Sequence, residues 1–175
     1  MSTATFRSAH AAALALLFAC AAPAIHAAPF AYVSSVSAGT VSVVDLASSS
    51  VVATVSVGKG PLGVAVNAAG SRVYVANGNA GSVSVIDTAS NLVVETIALG
   101  SNPAGLAVTP DGTRVYVTMT FDNSVLAIDT AGNATVATVA VPPPLGIAAA
   151  PDGQRTYVGT DSFGGPLSVI HTASN

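Results

Sequence analysis

Few residues in this chain are equipped for chemistry, and their spacing argues against it. Beyond Ala27 there is one histidine, His171, and one glutamate, Glu95; Lys59, Arg72, Arg114 and Arg155 are the only bases, and cysteine is absent. Zinc and most transition metals need several His or Cys ligands converging on one point. His171 stands alone, at a position where three earlier segments place Asp45, Asp87 and Asp129. These aspartates recur every 42 residues or so, a period that suits turn capping. A calcium site wants about six converging oxygens, and residues that far apart fall on different structural units. Nucleophilic catalysis needs a Ser or Thr beside a base and an orienting group, whereas the serines here occupy repeated strand and turn positions. Lys59-Gly60-Pro61 lacks the glycine spacing and following helix of a phosphate loop. No catalytic, cofactor-binding or metal-ligating residue is expected, and the chain reads as a non-enzyme. Nucleic acid is also an unsuitable partner, because five Lys and Arg scattered singly, in a chain of net charge −3, make no phosphate track.

The elements around these residues form a repeat. Tyr32, Tyr74, Tyr116 and Tyr157 stand about 42 residues apart, and each opens the same pattern. A Tyr-Val strand is followed by an apolar strand ending at Asp45, Asp87, Asp129 or His171, then a Val-rich strand, then a Pro-x-Gly strand. Small β-branched residues suit sheets covered on both faces, and charged residues make up only 7% of the chain. Pro110-Asp111-Gly112 and Pro151-Asp152-Gly153 carry tight-turn chemistry. Arg72, Arg114 and Arg155 follow these turns and read as solubilising charges. A period near 40 with four strand signals per unit predicts a blade of a radial β-architecture, not a one-strand solenoid turn.

Tyr74-Val75-Ala76-Asn77, Ser82 to Asp87 (SVSVID) and Pro110-Asp111-Gly112 resemble the YVTN family of β-propeller repeats, known from surface-layer and exported proteins. The resemblance covers Ala31 to Asn175. Asn77 alone keeps the Asn of the motif, and the absence of Trp separates these units from WD-type blades, although both are WD40-like propeller repeats. The resemblance implies an all-β fold of four-stranded antiparallel blades. Their strand order from the hub outward would be Pro-x-Gly, Tyr-Val, Ser-Val-x-x-Ile-Asp, then the Val-rich strand. On that scheme the chain supplies three strands of a first blade, two complete blades and three strands of a last one. The result is an open arc of about 3.5 blades belonging to a seven-bladed type. The stop halfway through a unit reads as a truncated coding sequence, with self-association through the open end blades and a small arc with covered ends as alternatives.

Loops held by a rigid scaffold are where recognition concentrates. The connections between second and third strands depart most from the repeat, and here they bring Asn77, Asn79, Met119, Phe121, Asp122, Asp161 and Phe163. In propellers they share a face with the outer-to-inner connections, which carry Lys59 and Asn102. This face is the expected contact surface, although Phe121 and Phe163 also suit packing between blades. The function implied is a non-catalytic exported scaffold binding a protein or other ligand at the cell envelope or surface, with no cofactor. The alternatives are a propeller enzyme of lactonase or quinoprotein dehydrogenase-like type, and a non-functional fragment.

Residues 1–27 read as a signal peptide: Arg7 supplies the positive start, Ala11 to Ala22 the apolar stretch, and Ile25-His26-Ala27 a small-residue cleavage context. Residues 28–175 form the repeat domain. The apolar stretch is too short to span a bilayer, so periplasmic or extracellular placement is expected, with lipid anchoring at Cys20 the lesser alternative.

Overall fold

The computed structural model describes residues 29–160 and 165–174; the expected signal peptide and Cys20 lie outside them. Fourteen strands follow in order. They are β1 (Phe30–Ser35), β2 (Thr40–Asp45), β3 (Ser50–Ser56), β4 (Pro61–Val66), β5 (Arg72–Asn77), β6 (Ser82–Asp87) and β7 (Leu92–Ala98), then β8 (Pro103–Val108), β9 (Arg114–Met119), β10 (Ser124–Asp129), β11 (Ala134–Ala140), β12 (Pro144–Ala149), β13 (Arg155–Thr160) and β14 (Ser168–His171). One 3-10 turn, Thr120–Asp122, joins β9 to β10. All pairings are antiparallel, giving the sheets β1-β2-β3, β4-β5-β6-β7, β8-β9-β10-β11 and β12-β13-β14. Two sheets therefore have four strands and the flanking two have three, as the repeat predicts. Among the described residues the first sheet has no inner strand and the last no outer one.

The apolar interior is divided among the seams between sheets. Val41, Val43 and Val55 of the first sheet meet Val73, Val75 and Ile86 of the second. Tyr74, Val83 and Val85 of the second sheet meet Val115, Val117 and Met119 of the third. Tyr116, Val125 and Ala127 then meet Val158 and Ile170 of the fourth. Central strands β5, β6 and β9 are covered on both faces and buried almost throughout, whereas outermost β7 and β11 are mostly exposed. This is the propeller arrangement: sheets packed face to face around a hub.

At the hub the inner strands β4, β8 and β12 lie side by side. Glycine makes this possible. A Cβ on Gly105 would lie 2.6 Å from the Leu145 carbonyl oxygen, and one on Gly63 would collide with that of Ala104. Hydroxyls stitch the same seams. Ser34 donates to the Leu62 carbonyl at 2.7 Å, and Thr118, its counterpart two blades on, reaches that of Leu145 at 3.2 Å. Thr120 donates to Pro144 at 2.8 Å.

The recurring aspartates cap turns on the face opposite the expected contact loops. Asp45 accepts from the Ala47 amide at 2.8 Å, Asp87 from that of Ser90 at 2.9 Å, and Asp129 from that of Gly132 at 2.8 Å. Each hairpin closes through a residue with positive φ: Ser49, Asn91 and Asn133. Arg72 corrects the reading of the arginines as solubilising charges, because its guanidinium pairs with Asp87, its cross-strand partner. Arg114 lies in the same register opposite Asp129, and Arg155 opposite His171.

Candidate functional site

The β5–β6 and β9–β10 loops and the connections leading into β4, β8 and β12 form one face. Backbone bonds brace it. The Gly78 and Ala80 amides donate to the carbonyls of Gly60 and Lys59 at 2.8 and 3.1 Å, Leu99 to Gly81 at 2.9 Å, and Val141 to Asn123 at 2.9 Å. Each contact loop is thus tied to an outer-to-inner connection, and side chains on both are presented together.

Depressions open on this face, one of about 300 Å³ among Asn123, Ala140, Val141 and Pro142, and two more lie where candidate residues gather. The first of these two, about 440 Å³, lies between the first two sheets and is lined by the Val36–Gly39 turn, Lys59, Gly60 and Asn79. Its lining is mixed, with Val36 and Ala38 beside Ser37, Asn79 and the chain's single lysine. The second, about 220 Å³, lies nearer the hub among Leu62, Asn102, Ala104, Thr120, Phe121 and Leu145. Phe121 is 74% exposed at its edge, standing on the 3-10 turn that Asn123 closes in the left-handed conformation. The hydroxyl of Thr120 is already committed to Pro144. What remains is an apolar cup with an amide, Asn102, at its wall.

The candidate residues divide accordingly. Lys59, Asn79, Phe121 and Asp122 are exposed, and Asn102 is half-buried; Asp161 and Phe163 lie outside the described residues. Asn77 and Met119 do not reach the surface, which corrects their placement on the contact face. They end β5 and β9 with side chains turned into seams, Asn77 fully buried and Met119 packed with Tyr74 and Val117. The Asn77 amide nitrogen donates to the Ser82 and Ser84 hydroxyls at 3.2 and 2.9 Å, while its Oδ1 has no partner. Leu62, Ala104 and Leu145 went unsuspected. They hold the variable position of the Pro-x-Gly strands, and the signal available was that this position alone changes between two fixed residues.

Carboxylates outside this face are occupied structurally. Asp111 accepts from Thr109 Oγ1 at 2.5 Å and Thr113 Oγ1 at 2.9 Å. The Thr109 bond first, then those from Thr113, hold its carboxyl below the ordinary value. Asp45 is lowered by the Ala47 amide and the Ser48 hydroxyl, and Asp87 by the amide and hydroxyl of Ser90 ahead of Arg72. Burial raises the phenols of Tyr32 and Tyr74. Among the described residues no group of three or more His, Cys, Asp or Glu gathers where a metal could sit. No helix among them is long and apolar enough to cross a membrane.

No protein-family model matches the chain, and no curated protein matches its sequence. Its structure is similar to that of Kuenenia stuttgartiensis hydrazine synthase, with a TM-score of 0.77 and 28% sequence identity, over 83% of this chain and 43% of that one. The chain therefore spans less than half of that neighbour's length. With the four antiparallel sheets, this likeness establishes a propeller-like fold.

Proposed function

We propose that this chain is a non-catalytic propeller scaffold of the YVTN type, exported to the periplasm or cell surface, where its loop face binds an envelope or surface partner. The observation that carries this reading is Phe121. A large aromatic side chain stands in solvent on a braced loop, beside an apolar cup and within a face whose loops are tied down by backbone bonds. Rigid aromatic anchors beside small pockets are the usual energetic centres of protein recognition. The aspartates and threonines that might have served catalysis are engaged in turns and seams. Immobilised protein should bind surface proteins from envelope fractions, and Phe121→Ala should weaken that binding about tenfold or more. Binding unchanged by Phe121→Ala would refute the assignment of this face. Export is tested separately, by whether the mature product begins near Ala28.

An enzyme is the second reading, favoured by the likeness to a chain named hydrazine synthase. Fold likeness alone does not transfer an activity, and the likeness covers 43% of that chain. Turnover above background in a lactonase and dehydrogenase panel would replace the scaffold reading with this one.

A further inference from the structure

At the seam between the first and second sheets, three loops bring three unpartnered polar side chains to one depression. Lys59 comes from the β3–β4 connection, Asn79 from the β5–β6 loop and Ser37 from the β1–β2 turn, and all three line the depression of about 440 Å³. Each is exposed, and none of the three side chains has a hydrogen bond or ion pair among the described residues. Backbone bonds from the Gly78 amide to Gly60, 2.8 Å, and from the Ala80 amide to Lys59, 3.1 Å, clamp two of these loops together. Gly60 has a φ of +64°, and a Cβ there would lie 2.9 Å from Asn79 Nδ2, so glycine is what lets that amide settle beside Lys59. The repeat places Ser101 and Pro142 where Lys59 stands, and Phe121 where Asn79 stands. Blade packing therefore does not call for this set. Among the described residues no carboxylate lines the depression.

We propose that this depression binds the anionic oxygen group of a small hydroxyl-bearing ligand, a phosphate ester or a sugar acid. An ammonium with no counter-ion, beside an amide and a hydroxyl that both donate, matches an oxyanion and repels a cation. A volume of about 440 Å³ is more than a bare ion fills and lies within the usual range of small-molecule pockets. Val36 and Ala38 in the same lining offer apolar surface to a carbon skeleton, while Asn79 and Ser37 also accept from ligand hydroxyls. The walls are loops between described strands, and they share no residue with the Phe121 cup. The site holds or fails independently of the contact surface assigned to Phe121.

Isothermal titration of the full chain with glycerol phosphate and with glucuronate tests this, glycerol and glucose serving as the neutral counterparts. At least one charged probe should bind saturably at millimolar concentration or below, about tenfold or more tighter than its neutral counterpart. Which of the two binds identifies the oxyanion as phosphate or carboxylate. Lys59→Gln should weaken that binding by about tenfold or more, the usual worth of one charge-assisted hydrogen bond, whereas Lys59→Arg should retain most of it. Added salt should weaken binding to the wild type and have little effect on what remains in Lys59→Gln. Phe121→Ala should change nothing, which separates this site from the contact surface around Phe121. The proposal fails if neither charged probe binds, if the neutral counterparts bind equally well, or if Lys59→Gln binds as the wild type does. Loss of binding in Phe121→Ala would also overturn it, by placing the ligand at the other depression.

Discussion

Gly105→Ala and Gly146→Ala make the same chemical change at equivalent positions of neighbouring blades, and the seam geometry predicts opposite outcomes. At Gly105 the new Cβ would lie 2.6 Å from the Leu145 carbonyl oxygen and 3.2 Å from both Ile147 Cγ2 and Thr118 Oγ1. Relief requires β8 and β12 to separate by roughly half an ångström or more, which strains a packed seam at a typical cost of about 1–3 kcal/mol. The same movement stretches the Thr118 bonds, 2.7 Å from the Gly105 amide and 3.2 Å to the Leu145 carbonyl. Offsetting this, Gly→Ala restricts the unfolded chain and stabilises by about 0.4–1 kcal/mol where the backbone accommodates it. Gly105→Ala should therefore lose about 1–2 kcal/mol net, whereas Gly146→Ala, with open space beside it, should keep the gain alone. Urea unfolding followed by circular dichroism resolves both, and unchanged slopes would confine the effect to stability. Equal effects of the two substitutions, in either direction, would refute the account of the glycine as the residue that lets inner strands touch.

Two further outcomes follow from named groups. Thr156 is fully buried with an unpartnered hydroxyl, at the position Val73 and Val115 occupy in other blades, so Thr156→Val should stabilise by about 1–3 kcal/mol; a lower melting temperature would contradict this. Asp45, Asp87 and Asp111 have folded-state carboxyls below their ordinary value, so their contribution is present above the unfolded carboxyl range near about pH 4 and is lost as pH falls through the lower folded values. Melting temperature should fall with acidification through that window, and replacing all three with Asn should flatten the dependence.

The blades were legible in the sequence because each unit repeats its own punctuation. Asp87, Asn91, Pro110 and Gly112 each satisfy a local backbone need, and local needs can be read one segment at a time. The direction of a side chain at a strand end was not legible in this way. Asn77 and Met119 occupy the same repeat position and look like the start of a loop, but the neighbouring sheet covers them, and that sheet lies outside the unit being read. The same applies to the stitches of Ser34 and Thr118, whose partners are 28 and 27 residues away. Arg72 was misjudged because its pairing with Asp87 depends on strand register, which periodicity alone leaves open. On the loop face, Phe121 stood out as a break in the repeat, whereas Leu62 and Leu145 were hidden within the grammar of the inner strand.

Partition of the apolar interior among three seams has a consequence for how such a chain changes over time. Damage confined to one boundary leaves the others nearly as they were, since each sheet answers only to its two neighbours. Gain or loss of an entire unit preserves every remaining boundary, whereas an insertion of a few residues inside a strand would scramble two at once. Change by whole modules is thus the low-cost route, and the Tyr and Val positions shared by the two boundaries of the third sheet, Tyr74 with Tyr116 and Val83 with Val125, fit such a route.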